Sequence, residues 1–129
     1  MLIDCHVHLL PPRRLQGLLK WMHSFYPEHP IPVDVTLERC IEDYRTIAAD
    51  YVFNLVYPIF LPETSDLNRF NFELHQKHPW IIPFGSLHLE DEDKGAIVDR
   101  CLGEYGFLGF KFHPFIQRFD PLDPRMLAA

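Results

Sequence analysis

The sequence predicts an α/β fold built on a parallel sheet. Three observations predict it. Short apolar runs of strand type alternate with segments whose apolar residues recur at helical spacing. The later strands begin about 30 residues apart, the size of a strand–helix–strand unit. Twelve prolines cut the 129 residues into short elements and exclude a coiled coil or a bundle of long helices.

The elements follow in order. Leu2 to Leu9 is an apolar run stopped by Pro11 and Pro12. Arg13 to Phe25 carries Leu15, Leu18, Leu19 and Met22 at helical spacing, and the 13–32 stretch as a whole is expected to be an insertion, or lid, after the first strand. Thr36 or Asp34 caps the next helix, with Leu37, Cys40, Ile41, Tyr44, Ile47 and Ala48 on one face. Tyr51 to Tyr57 is nearly continuous apolar sequence, the pattern of a strand buried on both sides. Ser65 or Asp66 starts a helix that Pro79 ends, with Leu67, Phe70 and Leu74 inward. Ile81 to Leu89 is a third strand, and Asp91 to Tyr105 a helix closed by Gly106 in the left-handed conformation. Phe107 to Pro114 is a fourth strand, and Asp123-Pro124 a helix start. One domain, 1–129, is expected.

Composition narrows the function. Hydrophobic residues make up 47%, enough for a core. Twelve Lys and Arg against 18 Asp and Glu give a net charge of −6, which argues against nucleic acid and an anionic membrane surface as partners. No apolar run is long enough to span a bilayer. Asp4 within the first apolar run predicts no secretory leader. Cys5, Cys40 and Cys101 are odd in number and widely spaced, so no disulfide framework is expected and a reducing cytoplasm is the default.

Side-chain alternation sorts the polar residues. In the first strand Ile3, Cys5, Val7 and Leu9 share an apolar face, which makes Cys5 buried and inert. Leu2, Asp4, His6 and His8 share the other. In the fourth strand Leu108, Phe110 and Phe112 oppose Gly109, Lys111 and His113. Asn54, Ser86 and His88 add polar groups on the second and third strands. One greasy face, with an opposite face turning polar toward the C-terminal strand ends, is what a β/α barrel with its site at that mouth requires.

His6 and His8 are the strongest chemical signal. At i and i+2 on one strand, two imidazoles can converge on one divalent ion, with Asp4 orienting a ligand or closing the site. Lys111 can pair with a substrate carboxylate, be carbamylated and bridge two metals, or reach into water. His113 can bind substrate or transfer a proton. His88 ends its strand and either lines the mouth or is solvated. His75 and His78 suit the last turn of a helix. His23 and His29, with Trp21, Phe25 and Tyr26, either cover the site or pack the insertion down. Trp80 is expected in the core.

Ile-Asp-Cys-His-Val-His-Leu-Leu-Pro at residues 3–11 resembles the first-strand metal motif of the amidohydrolase superfamily. Residues 106–126, opening Gly-Phe-Leu-Gly-Phe-Lys-Phe-His-Pro, resemble the fourth-strand region of its amidohydrolase-related branch, which includes aminocarboxymuconate semialdehyde decarboxylase. The resemblance implies a partial TIM (β/α)8 barrel of about four N-terminal units, with His6 and His8 ligating a divalent metal, usually zinc. It implies further ligands on strands five, six and eight: histidines and an aspartate. No histidine follows His113. The expectation is therefore the N-terminal half of such a barrel, poorly active alone, with a homo-oligomer as the other way to complete a site.

The implied activity is hydrolysis, metal-activated water attacking a small carboxylated or cyclic substrate, with Lys111 and His113 as catalytic or substrate-binding groups and His88 beside them. Decarboxylation is the alternative within the same family. A phosphoesterase of the polymerase-and-histidinol-phosphatase group also opens with D-x-H-x-H, but the Lys-Phe-His-Pro tract does not suit it. A non-catalytic α/β module associating through open sheet edges is the third reading.

Overall fold

A computed structural model describes residues 1–30 and 32–127. The chain is a mixed α/β structure around an open, three-stranded parallel sheet. Its elements are β1 (Ile3–Val7), α1 (Pro12–Phe25), α2 (Leu37–Thr46), β2 (Tyr51–Leu55), α3 (Glu63–Lys77), β3 (Ile81–Phe84), α4 (Lys94–Asp99), α5 (Pro114–Gln117) and α6 (Pro124–Leu127). A π-helical turn, Arg100–Glu104, continues α4. The strand order is β1-β2-β3. Among the described residues no helix is long and apolar enough to cross a membrane.

One face of the sheet carries the core. Val7, Leu9, Val52 and Ile81 pack against Leu37 and Ile41 of α2 and Leu74 of α3. Leu10 and Val56, just beyond the strands, pack against Leu15 and Leu19 of α1 and Leu67 of α3. The opposite face is open: Ile3 is 41% and Tyr51 44% exposed, and Phe53 and Phe84 are half-buried, with rings 5.5 Å apart. The second strand is thus not buried on both sides; only its Val52–Asn54 face meets helices.

Local chemistry sets the helix ends. The Thr36 side chain accepts a hydrogen bond from the Arg39 N–H, capping α2. Ala48, at φ 53°, turns the chain out of that helix, so Ile47 is left 58% exposed instead of joining the apolar face. Asp93 caps α4 through the Ala96 N–H. Gly106, at φ 69°, takes the left-handed position expected of it. α1 is not a loose lid, because Leu15 and Leu19 anchor it in the core.

The third and fourth strands are shorter than expected. β3 ends at Phe84, and the fourth segment makes only an isolated parallel bridge, Gly85 to Phe110. That bridge is real pairing: Gly85 N–H donates to the Gly109 carbonyl (2.9 Å), and Lys111 N–H donates to the Gly85 carbonyl (2.7 Å). Beyond it, side chains replace the ladder. Asn68 pairs with both Ser86 backbone groups (2.8 and 3.0 Å), and the Ser86 hydroxyl donates to the Lys111 carbonyl (2.6 Å).

Asn54 is the most consequential buried side chain. Alternation placed it among the polar groups of the open face; instead it points into the helix layer. Its Oδ1 accepts from the Leu9 N–H (2.7 Å), and its Nδ2 donates to the Leu9 carbonyl (2.9 Å) and to Asn71 Oδ1 (2.8 Å). Asn71 in turn donates to the Phe84 carbonyl (2.8 Å). A buried amide with its partners met is stable, and one removed leaves orphans. Asn54→Ala is expected to cost about 2–3 kcal/mol, since it strands the buried Leu9 groups and Asn71. The midpoint of urea unfolding checks this; an unchanged midpoint would show that the clasp contributes nothing.

Candidate functional site

The first strand does not alternate simply, and this aims the histidines. Asp4 pairs with Val52 but Val7 pairs with Asn54, so one extra residue is accommodated between Asp4 and Val7. Such a bulge re-aims the side chains that follow. Asp4 consequently faces the helices, not the side of His6 and His8: its carboxylate accepts the Tyr44 hydroxyl of α2 (2.8 Å). Its other oxygen accepts the His6 N–H (3.0 Å), so Asp4 fixes the backbone of the bulge. The two hydrogen bonds hold the Asp4 carboxyl below its usual range, and burial with the Asp4 contact pushes the Tyr44 hydroxyl up. Cys5 falls inside the bulge and is exposed, not buried as the alternation predicts.

His6 and His8 come together, with ring centroids 5.0 Å apart and planes nearly perpendicular. His8 Nδ1 lies 2.6 Å from the Leu55 carbonyl at the end of β2. A carbonyl only accepts, so His8 carries its proton on Nδ1 and keeps the Nε2 lone pair free. Burial lowers the His8 pKa against the opposing effect of this hydrogen bond, and nearby His6, Lys111 and His113 lower it further. His8 is thereby held as a neutral imidazole, the form that ligates a metal.

Lys111 and His113 sit across from this pair at the C-terminal end of the fourth segment. Gly109 faces the Phe84 ring, and Lys111 and His113, two and four residues on, both act electrostatically on His8. Tyr57 contacts both histidine sites, its ring 5.5 Å from His8 and 5.2 Å from His113. Burial raises the Tyr57 pKa, so its phenol stays protonated at neutral pH. Among the described residues no carboxylate lies within ion-pairing distance of the half-buried Lys111.

His88 lies on a neighbouring cleft of about 770 Å³, walled by Trp21, Phe25, Phe60, Phe115 and Arg118. Ile59 and Ile116 line both this cleft and a smaller one beside Tyr57. The His88 loop is shaped by buried Asp91, which accepts the His88 N–H (2.6 Å) and the Thr64 hydroxyl (2.8 Å). Every wall of the cleft comes from segments that follow strands at their C-terminal ends. His75 bonds the Ile81 carbonyl and His78 contacts Arg45, both structural roles. Trp80 is half-buried against the core.

The donor set fits a metal only in part. His6 and His8 supply two imidazoles, but among the described residues no group of three or more His, Cys, Asp or Glu is placed to hold a metal ion. Two residues escaped the sequence reading. Tyr57 shares the parity of Phe53 and Leu55, which could have placed it. Gln117 follows His113 by four residues, one helical turn, and is buried against it. Compared with known proteins, the chain matches no family model and no curated protein.

His8 gives a pH test. Its folded pKa lies below the ordinary 6.5, so the unfolded chain binds a proton first as pH falls. Stability contributed by neutral His8 is present above pH 6.5 and is lost as pH drops through the lower folded value. His8→Gln is expected to reduce the fall in unfolding free energy as pH drops below about 6.5. An identical pH dependence in both proteins would contradict this.

Proposed function

We propose that the chain carries the first- and fourth-strand parts of a metal-dependent hydrolase site of amidohydrolase type, on a partial β/α barrel. The observation that carries this is the His6–His8 pair, 5.0 Å apart, with His8 Nδ1 tied to the Leu55 carbonyl and its Nε2 free. Metal-ligating histidines characteristically donate their second ring N–H to such an acceptor. The barrel reading is supported by parallel strands in sequence order, helices packed on one sheet face, and polar groups gathered at C-terminal strand ends. Three free cysteines suit a reducing cytoplasm.

His6 and His8 would hold the ion, zinc being the natural choice for imidazole donors. Zinc supplies a Lewis acid that brings water into the neutral range of acidity, at a pKa of about 7. A catalytic zinc usually takes three protein ligands, so two imidazoles alone would hold the ion more weakly than a complete site. The chain's own residues do the rest. Asp4 holds the bulge that turns His6 and His8 to one side. Lys111, half-buried and without a carboxylate partner among the described residues, pairs with an anionic group of a small carboxylated substrate. Trp21 and Phe25 of α1 (ring centroids 4.9 Å apart) wall the adjoining cleft and limit water around it.

Calorimetric titration with zinc tests the proposal. The wild-type chain is expected to take up one zinc, Cys5→Ser to bind equally, and the His6→Ala/His8→Ala double variant to bind at least about tenfold more weakly. A wild-type chain that takes up no zinc, or a double variant that binds as well, would refute it.

A further inference from the structure

We infer that His113 serves as a fixed hydrogen-bond donor, its proton held on Nε2, and that with Lys111 it binds an oxyanion of carboxylate type. The inference rests on the substrate-binding reading of Lys111 and adds the role, the protonated atom and the residue that positions it.

The tautomer follows from what faces the ring. His113 is the residue before α5, and its Nδ1 accepts the Ile116 N–H at 3.4 Å. A backbone N–H can only donate, so Nδ1 must present a lone pair. The neutral ring then carries its proton on Nε2. This is the reverse of His8, whose Nδ1 faces a carbonyl. The two rings flanking Tyr57 are therefore chemically opposite: His8 offers a lone pair, and His113 offers an N–H. A ring that turns its Nδ1 lone pair to a backbone N–H presents an N–H at Nε2, which does not ligate a cation but donates to an oxygen.

Gln117 fixes where that donor points. Its Oε1 accepts the backbone N–H of His113 (2.7 Å), anchoring the main chain from which the ring projects, and its Nε2 donates to the Leu87 carbonyl (3.0 Å), one residue before His88. The side chain is buried, and both halves of its amide are engaged. Arg118, immediately after it, is left-handed at φ 56°, which ends α5 after a single turn and keeps the clasp short. Gln117 is thus a positioning residue that couples the His113 and His88 segments. The ligand class follows from charge. Lys111 brings an ammonium with no carboxylate of the described residues against it, and His113 brings an N–H donor two residues on. An oxygen anion satisfies both, and a charge-assisted hydrogen bond to it is stronger than a neutral one.

The test uses the full chain with 15N-labelled histidine. Two-bond ring correlations in NMR report the tautomer directly, and acetate is the probe of the anion site. His113 is expected to carry its proton on Nε2 and His8 on Nδ1. Acetate is expected to move the His113 Nε2–H resonance, and Lys111→Met to weaken acetate about tenfold. His113→Gln, which keeps an N–H near the Nε2 position, is expected to retain affinity within about threefold, while His113→Leu loses about tenfold. Gln117→Met is expected to blunt the acetate response of a chain that retains dispersed amide spectra. Gln117→Glu, which keeps only the acceptor half, is expected to restore part of it. A His113 proton on Nδ1, equal acetate binding by His113→Leu, or loss in His113→Gln equal to that in His113→Leu would overturn the donor role. An unaltered response in Gln117→Met would overturn the clasp. These readouts need no metal, so a failed zinc titration removes the hydrolase reading without deciding them.

Discussion

The site depends on one buried amide. Asn54 holds both backbone groups of Leu9, the residue after His8, and is itself held by Asn71 of α3. β1 has ended at Val7 and β2 ends at Leu55, so ladder hydrogen bonds no longer fix the chain at the point where His8 must be aimed. The Asn54 clasp takes over that task. Asn68 does the same for Ser86 one strand over, and Gln117 for His113. Three buried amides carry the sheet's register past the ends of its strands, where the polar side chains collect.

This arrangement explains why the strands are short without being loose. Each C-terminal strand end is a place where backbone groups turn away from their neighbours to make room for a site. Buried groups left unpaired there would cost more than the packing returns. Side-chain amides present one donor set and one acceptor in a fixed plane, so a single Asn or Gln can satisfy an N–H and a C=O together. Asp4 adds a charged version on β1, where the Tyr44 hydroxyl and His6 N–H hold the bulge that puts Asp4 on the helix side and His6 and His8 on the other.

The order of elements was legible in the sequence because hydrophobic periodicity and proline punctuation report on single elements. The Thr36 cap and the left-handed Gly106 were legible for the same local reason. The pairing of His6 with His8 was legible from a period of two. What strict alternation could not report was the extra residue between Asp4 and Val7. It sends Asp4 to the helices and exposes Cys5, and it depends on a register with β2 that no local pattern encodes. Asn54 was misplaced for a related reason: a polar residue in a strand looks like a solvent-facing one until its partners, distant in sequence, are known. The fourth strand was overestimated because a run of aromatic residues has β propensity whether or not a ladder forms.

In the proposed site His6 and His8 act as one unit that presents two imidazoles to a single ion. X-ray absorption at the zinc edge of the zinc-loaded chain measures it most directly. Scattering from two imidazole rings at about 2.0–2.1 Å is expected, lost when both histidines are replaced. A first shell of oxygen or thiolate sulfur without imidazole, or with one ring only, would contradict it.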